Sequence, residues 1–90
     1  MQVIFDPVKD TKNIKEHGVS LSRAADFDID SADVDVDDRK DYGELRFNAI
    51  GWLDAKLYAL TFTIPEPEIL RAISLRPTTK TEQRKYAQNQ

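Results

Sequence analysis

Cysteine is absent from the 90 residues, which rules out a disulfide framework, a thiolate nucleophile and any cysteine-held metal. Histidine, tryptophan and methionine occur once each, and glycine three times. A Cys/His metal cluster and a glycine-rich phosphate loop are excluded on the same ground. No apolar run approaches the roughly 20 residues a helix needs to cross a bilayer. The opening Met1-Gln2-Val3-Ile4-Phe5-Asp6 lacks the basic start and apolar stretch of a secretory signal. A cytoplasmic protein with no membrane partner is therefore expected, and the missing cysteines suit a reducing compartment. Positive charge is in the minority, with 13 Lys and Arg against 16 Asp and Glu and a net charge of −3.

What is present suits a single domain over residues 1–90. A hydrophobic fraction of 40% with 9% aromatics fills one modest core, and 32% charged residues leave a charged surface. The charge is uneven: residues 1–44 stand at −6 and residues 45–90 at +3. A chain divided this way can offer two different surfaces to two partners.

Gln2 to Phe5 reads as a strand. Asp6-Pro7 supplies an N-cap acid and a proline at the first helical position, so a helix is expected to about His17, ended by Gly18. Ser20 caps a second short helix through Phe27, with Leu21, Ala24 and Ala25 inward. Eight aspartates then fall between Asp26 and Asp41. Between Asp33 and Asp37 they alternate with Val34 and Val36, the period-two pattern of a short edge strand whose charges discourage wrong pairing. Tyr42-Gly43-Glu44 makes a turn. Leu45–Leu53 and Lys56–Ile64 form a hairpin about Asp54-Ala55, the second strand being central, with Tyr58, Leu60, Phe62 and Ile64 on one face. Pro65-Glu66-Pro67-Glu68 is expected to break the sheet as a stiff loop. Ile69–Arg76 is the last strand, and Thr79 with Glu82 has capping-box spacing for a final helix to about Gln88. The fold class is α+β: an antiparallel β-sheet meander with two N-terminal helices and a C-terminal helix.

This order and a set of short motifs resemble the BrnT family. They are Phe5-Asp6-Pro7 with Lys9 and Asn13, His17-Gly18-Val19-Ser20, Tyr42-Gly43-Glu44 with Arg46, Gly51, Arg71 with Ile73-Ser74-Leu75-Arg76, and Glu82 with Tyr86. They span nearly the whole chain in order. The resemblance implies a RelE-like fold and a metal-independent endoribonuclease toxin of a type II toxin–antitoxin system. It also implies a BrnA-like ribbon-helix-helix antitoxin as partner, RNA as substrate, and DNA met only through the antitoxin complex. No cofactor is implied. The chain departs from the family at Glu16, at Ile64-Pro65-Glu66-Pro67 and at Pro77-Thr78-Thr79, exchanges that remove positive charge or change local geometry. A second reading is thus a BrnT-like interaction module that binds an antitoxin-like protein without catalysis.

Cutting RNA without a metal requires removal of the 2′-hydroxyl proton, charge stabilisation at the phosphoryl oxygens and protonation of the leaving oxygen. Guanidinium forks suit phosphate, which makes Arg46, Arg71 and Arg76 the candidate catalytic arginines. By strand parity Arg71 and Arg76 point to opposite faces if their strand is regular. The alternative is that one of them pairs with an aspartate of residues 33–41. Tyr86 is a candidate for base stacking or proton transfer, or else a packing residue. His17 is the lone imidazole and an acid–base candidate, as is Glu82, yet a cation one residue before a helix-ending glycine also suits the helix dipole. Lys9, Lys12, Lys80 and Arg84 either bind RNA backbone or are solvated. Asp26, Asp28, Asp30 and Asp37 fall at calcium-loop spacing, but Ser31 replaces the turn glycine and Asp37 lacks the reach of Glu, so no metal site is expected.

Overall fold

In the computed structural model, which describes residues 1–90, local capping chemistry sets both α-helices. The Asp6 side chain accepts a hydrogen bond from the Val8 N–H, Pro7 opens helix α1 (Pro7–His17), and Gly18 ends it at a φ of 72°. Thr79 and Glu82 form a complete capping box at the start of helix α2 (Lys80–Gln88). The segment after Ser20 is a 3-10 helix (Leu21–Asp26) rather than a second α-helix. The Ser20 hydroxyl accepts from the Ser22 N–H, and Asp10 of α1 accepts from the Leu21 N–H at 2.7 Å. Six residues pinned at their start suit the tighter winding, which is used in short pieces.

Five strands make one sheet: β1 (Gln2–Ile4), β2 (Asp33–Val36), β3 (Phe47–Leu53), β4 (Lys56–Glu66) and β5 (Ile69–Pro77), in the order β1-β5-β4-β3-β2. β2 to β5 run antiparallel, each to the next in sequence. β1 pairs with β5 in parallel, from Gln2 opposite Ile69 to Ile4 opposite Arg71, so the sheet is mixed. A parallel neighbour needs a long crossover, and the whole chain between β1 and β5 supplies it.

The expected break at Pro65 does not occur. β4 continues to Glu66, and its register against β5 shifts between Thr63 and Glu66, so Pro65 sits where the ladder is irregular and asks nothing of a missing N–H. The reversal falls at Pro67-Glu68, where Glu68 takes a φ of 69°. β3 starts at Phe47, two residues later than expected. Near the end of β4, Thr63 is buried and Ile64 is exposed, the reverse of the expected alternation.

The core lies on one face of the sheet. Leu21, Leu60 and Leu75 are its largest fully buried side chains, joined by Ala49, Leu53, Phe62, Leu70 and Ala72 from the strands and by Ala24 and Phe27 from beyond Ser20. The 3-10 helix and α1 pack along β5. α2 meets β3 from the other side, where the Tyr86 ring stands edge-on to Trp52 with centroids 6.2 Å apart. Most of that second face stays open.

Candidate functional site

A β-bulge decides which side chains reach the open face. Thr61 and Phe62 are consecutive in β4, but they pair with Ser74 and Ala72 of β5, which leaves Ile73 as the extra residue. Leu70 and Ala72 before the bulge and Leu75 after it therefore all point into the core. Arg71 and Arg76 consequently share the opposite face, although simple parity would separate them. Arg46, one residue before the core-facing Phe47, falls on that face too. Asn48, Ile50, Ala59 and Thr61 line it between the arginines.

Each arginine is held by a carboxylate. The Arg76 fork meets Glu82 of α2 in two hydrogen bonds of 2.8 and 2.9 Å. Glu82 is drawn down to a pKa of about 2, first by Arg76 and with help from the Thr79 N–H, against the cost of its partial burial. Arg76 is raised in turn by the same bond. Glu44 accepts from both Arg71 and Arg46, and Arg46 also lies over the Tyr42 ring, 4.1 Å from its centroid. Burial works to raise the Glu44 pKa, but the two guanidiniums outweigh it and hold the carboxyl below its ordinary value.

The third pair lies outside the set expected from sequence. Arg39 binds Asp37 through Nε and Nη2 at 2.7 and 2.8 Å, and the Tyr42 hydroxyl donates to the same carboxylate. The Asp37 side chain is 1% exposed, and Arg39 holds it well below the usual carboxylate range. No aspartate of residues 33–41 pairs with Arg46, Arg71 or Arg76: Asp37 is taken by Arg39, and those three arginines are held by Glu44 and Glu82. The available signal was Asp37-x-Arg39 just ahead of Tyr42-Gly43-Glu44, masked by the surrounding run of aspartates.

The basic residues of α1 border the face from the edge of β5. Lys9 lines a shallow pocket with Arg71, while Lys9, Lys12 and His17 line a second one with Ile73 and Ser74. Ser74 also lines the cleft that holds Arg76, so the His17 groove and the arginine face meet there. His17 Nε2 lies 3.8 Å from Glu16. Lys80 and Arg84 are exposed on α2. Tyr86 is buried, and its hydroxyl donates to the Ser31 carbonyl at 3.1 Å. The aspartates at calcium-loop spacing do not converge. Asp26 pairs with Arg23, Asp28 accepts from Ser31, and Asp37 is committed to Arg39.

The family model described as "Ribonuclease toxin, BrnT, of type II toxin-antitoxin system" matches residues 5–82. The chain belongs to the BrnT family. The match spans every element from α1 to the start of α2, and with it Arg39, Arg46, Arg71 and Arg76. Among solved structures, the 1.1 Å crystal structure of the Brucella abortus ribonuclease toxin BrnT is similar, at 28% sequence identity and a TM-score of 0.71. That likeness covers 89% of this chain and 99% of the Brucella BrnT chain. No curated protein matches in sequence. BrnT membership makes this a member of a toxin family of type II toxin–antitoxin systems, with an antitoxin as partner.

Proposed function

We propose that this chain is a RelE-like endoribonuclease toxin of the cytoplasm that cuts RNA without a metal, and that a BrnA-like ribbon-helix-helix antitoxin silences it by covering the arginine face. One observation carries the reading. The bulge at Ile73 brings Arg71 and Arg76 to one open side of the sheet, where Arg46 also lies. The 2′-oxygen of a ribose attacks the adjacent phosphorus, the bond to the 5′-oxygen breaks, and a 2′,3′-cyclic phosphate forms. The 2′-hydroxyl proton passes to a base and the leaving 5′-oxygen takes up a proton. Arg76 and Arg71 stabilise the charge on the phosphoryl oxygens, because planar forks match phosphate geometry. Arg46 supports Arg71 through their shared Glu44. Lys9 and Lys12 guide the strand along the edge of β5, and Lys80 and Arg84 extend the basic rim on α2. His17, at the groove that meets the arginine cleft at Ser74, serves as the acid–base group. Glu82 is ionised at neutral pH and becomes available as a base once Arg76 releases it. Tyr86 is assigned to packing.

The alternative, a binding module without catalysis, is favoured by the carboxylate on every arginine of the face. Expressing the chain alone separates the two. The toxin arrests growth and depletes RNA, whereas Arg46→Ala and Arg76→Ala forms do not. Wild type that leaves both growth and purified RNA untouched removes the ribonuclease reading. An adjacent reading frame encoding a small ribbon-helix-helix protein supports the antitoxin assignment.

A further inference from the structure

A cleft of about 260 Å³ opens on the exposed face of the sheet, lined by Arg39, Asn48, Thr61, Ser74, Arg76 and Glu82 among its residues. We propose that this cleft seats a phosphodiester of the RNA strand, and that Arg39 grips it together with Arg76. The inference rests on the RNA reading above and adds a residue that neither the motif set nor family membership singles out.

The donors and acceptors of the cleft argue for an anion. The Thr61 hydroxyl donates to Asn48 Oδ1 at 2.7 Å, which turns the Asn48 amide N–H groups outward to other partners. Arg39 spends Nε and Nη2 on Asp37 and keeps Nη1 unused; Arg76 spends Nη1 and Nη2 on Glu82 and keeps Nε. The Ser74 hydroxyl has no partner within the protein. Apart from Glu82, the unspent polar groups of the cleft can all donate, and two belong to guanidiniums close enough for the charge of Arg39 to oppose that of Arg76. An oxyanion between them relieves that repulsion and takes up the unused N–H groups.

Arg39 is also held in place ahead of the ligand. Its side chain is 71% exposed while its partner Asp37 is 1% exposed, so the guanidinium projects from a buried anchor. Tyr42 bonds the same carboxylate and fixes it from a second direction. Preorganisation of this kind lowers the ordering cost of binding. Glu82 meanwhile presents two carboxylate oxygens to the Arg76 fork, the arrangement a phosphate would take. In the free protein Glu82 therefore competes with the phosphate for Arg76, and its charge opposes the incoming RNA.

The test uses the full chain and a fluorescently labelled single-stranded RNA carrying 2′-O-methyl groups throughout, so that it binds without being cut. Affinity is read by anisotropy across a salt series. Arg39→Ala is expected to weaken binding roughly tenfold, the size of one charge-assisted contact. It should also lower the slope of log affinity against log salt by about 0.7, one phosphate contact on a single strand. Arg39→Lys should restore the slope and only part of the affinity, because a point charge replaces a fork. Glu82→Gln should tighten binding. Arg39→Ala leaves Asp37 buried without its partner, so the Asp37→Asn, Arg39→Ala double variant is measured beside it, with folding checked by circular dichroism. The same loss in a folded double variant supports the assignment. Unchanged affinity and slope in either folded variant overturn it, as does wild type that fails to bind the probe. A chain that binds this probe through Arg39 but leaves ordinary RNA uncut keeps the phosphate site and removes the ribonuclease reading. A chain that cuts ordinary RNA equally well with and without Arg39 does the reverse.

Discussion

Asn13 stands in for a missing strand against Leu75: its Nδ2 donates to the Leu75 carbonyl at 2.9 Å and its Oδ1 accepts from the Leu75 N–H at 3.1 Å. β1 covers β5 only from Ile69 to Arg71, and beyond that the edge of β5 would lack a partner. A side-chain amide offers the same donor and acceptor as a peptide unit, and Asn13 supplies both from within α1 while a further bond ties it to the Val19 carbonyl at 2.8 Å.

Replacing Asn13 with Ala is expected to destabilise the protein by about 2–3 kcal/mol, because it leaves buried backbone groups of β5 without partners. Urea unfolding monitored by circular dichroism gives the value. A cost under about 0.5 kcal/mol would show that water takes over the bonding.

Glu82 makes stability depend on acid. Its carboxyl ionises at about 2 in the folded protein, against an ordinary value of 4.5, because Arg76 stabilises the charged form. A depressed carboxyl contributes in full above its unfolded pKa and loses that contribution as pH falls through the folded one. The Glu82 contribution should therefore hold from neutral pH to about 5 and fade between about 4.5 and 2. Melting temperatures of wild type and Glu82→Gln, measured across that range, should converge towards the acid end. A constant gap would show that Glu82 does not titrate with the fold.

Gly51 is required by space. A Cβ built there would lie 2.8 Å from both Ala32 Cβ and Phe27 Cζ, closer than real side-chain contacts come. Gly51→Ala is expected to cost about 1–3 kcal/mol through overpacking, readable as a lowered midpoint in chemical denaturation. A variant as stable as wild type would mean that Phe27 gives way freely.

The helix limits were legible in the sequence because caps are local: Asp6-Pro7, Gly18 and Thr79 with Glu82 act on atoms within a few residues. The acidic edge strand β2 was legible through its alternation, and Lys56–Ile64 through its apolar length. Arg71 and Arg76 sharing a face was not legible, since the bulge at Ile73 exists only in the pairing with Thr61 and Phe62. The parallel seat of β1 was hidden for the same reason, as its partner lies at the other end of the chain. Pro65 misled because proline is excluded from regular ladders, whereas an irregular one has room for it. Arg39 was overlooked because a charged residue amid eight aspartates reads as solvated surface, and burial of Asp37 becomes visible only in three dimensions.

Catalysis by arginine and side-chain acid–base groups should not depend on divalent ions. Cleavage of purified RNA is expected to proceed equally with and without a chelator such as EDTA. Loss of activity on chelation, restored by added metal, would assign the charge stabilisation to an ion instead of Arg76 and Arg71.

The most direct test of the arginine face is the cutting of purified RNA by the purified chain, wild type beside Arg76→Ala, with the product ends identified by mass spectrometry. Wild type is expected to leave 2′,3′-cyclic phosphate ends, and Arg76→Ala to cut about a hundredfold more slowly, the cost of removing one preorganised group from the developing charge. Wild type that leaves the RNA intact, or a folded Arg76→Ala form that cuts as fast, would contradict the account.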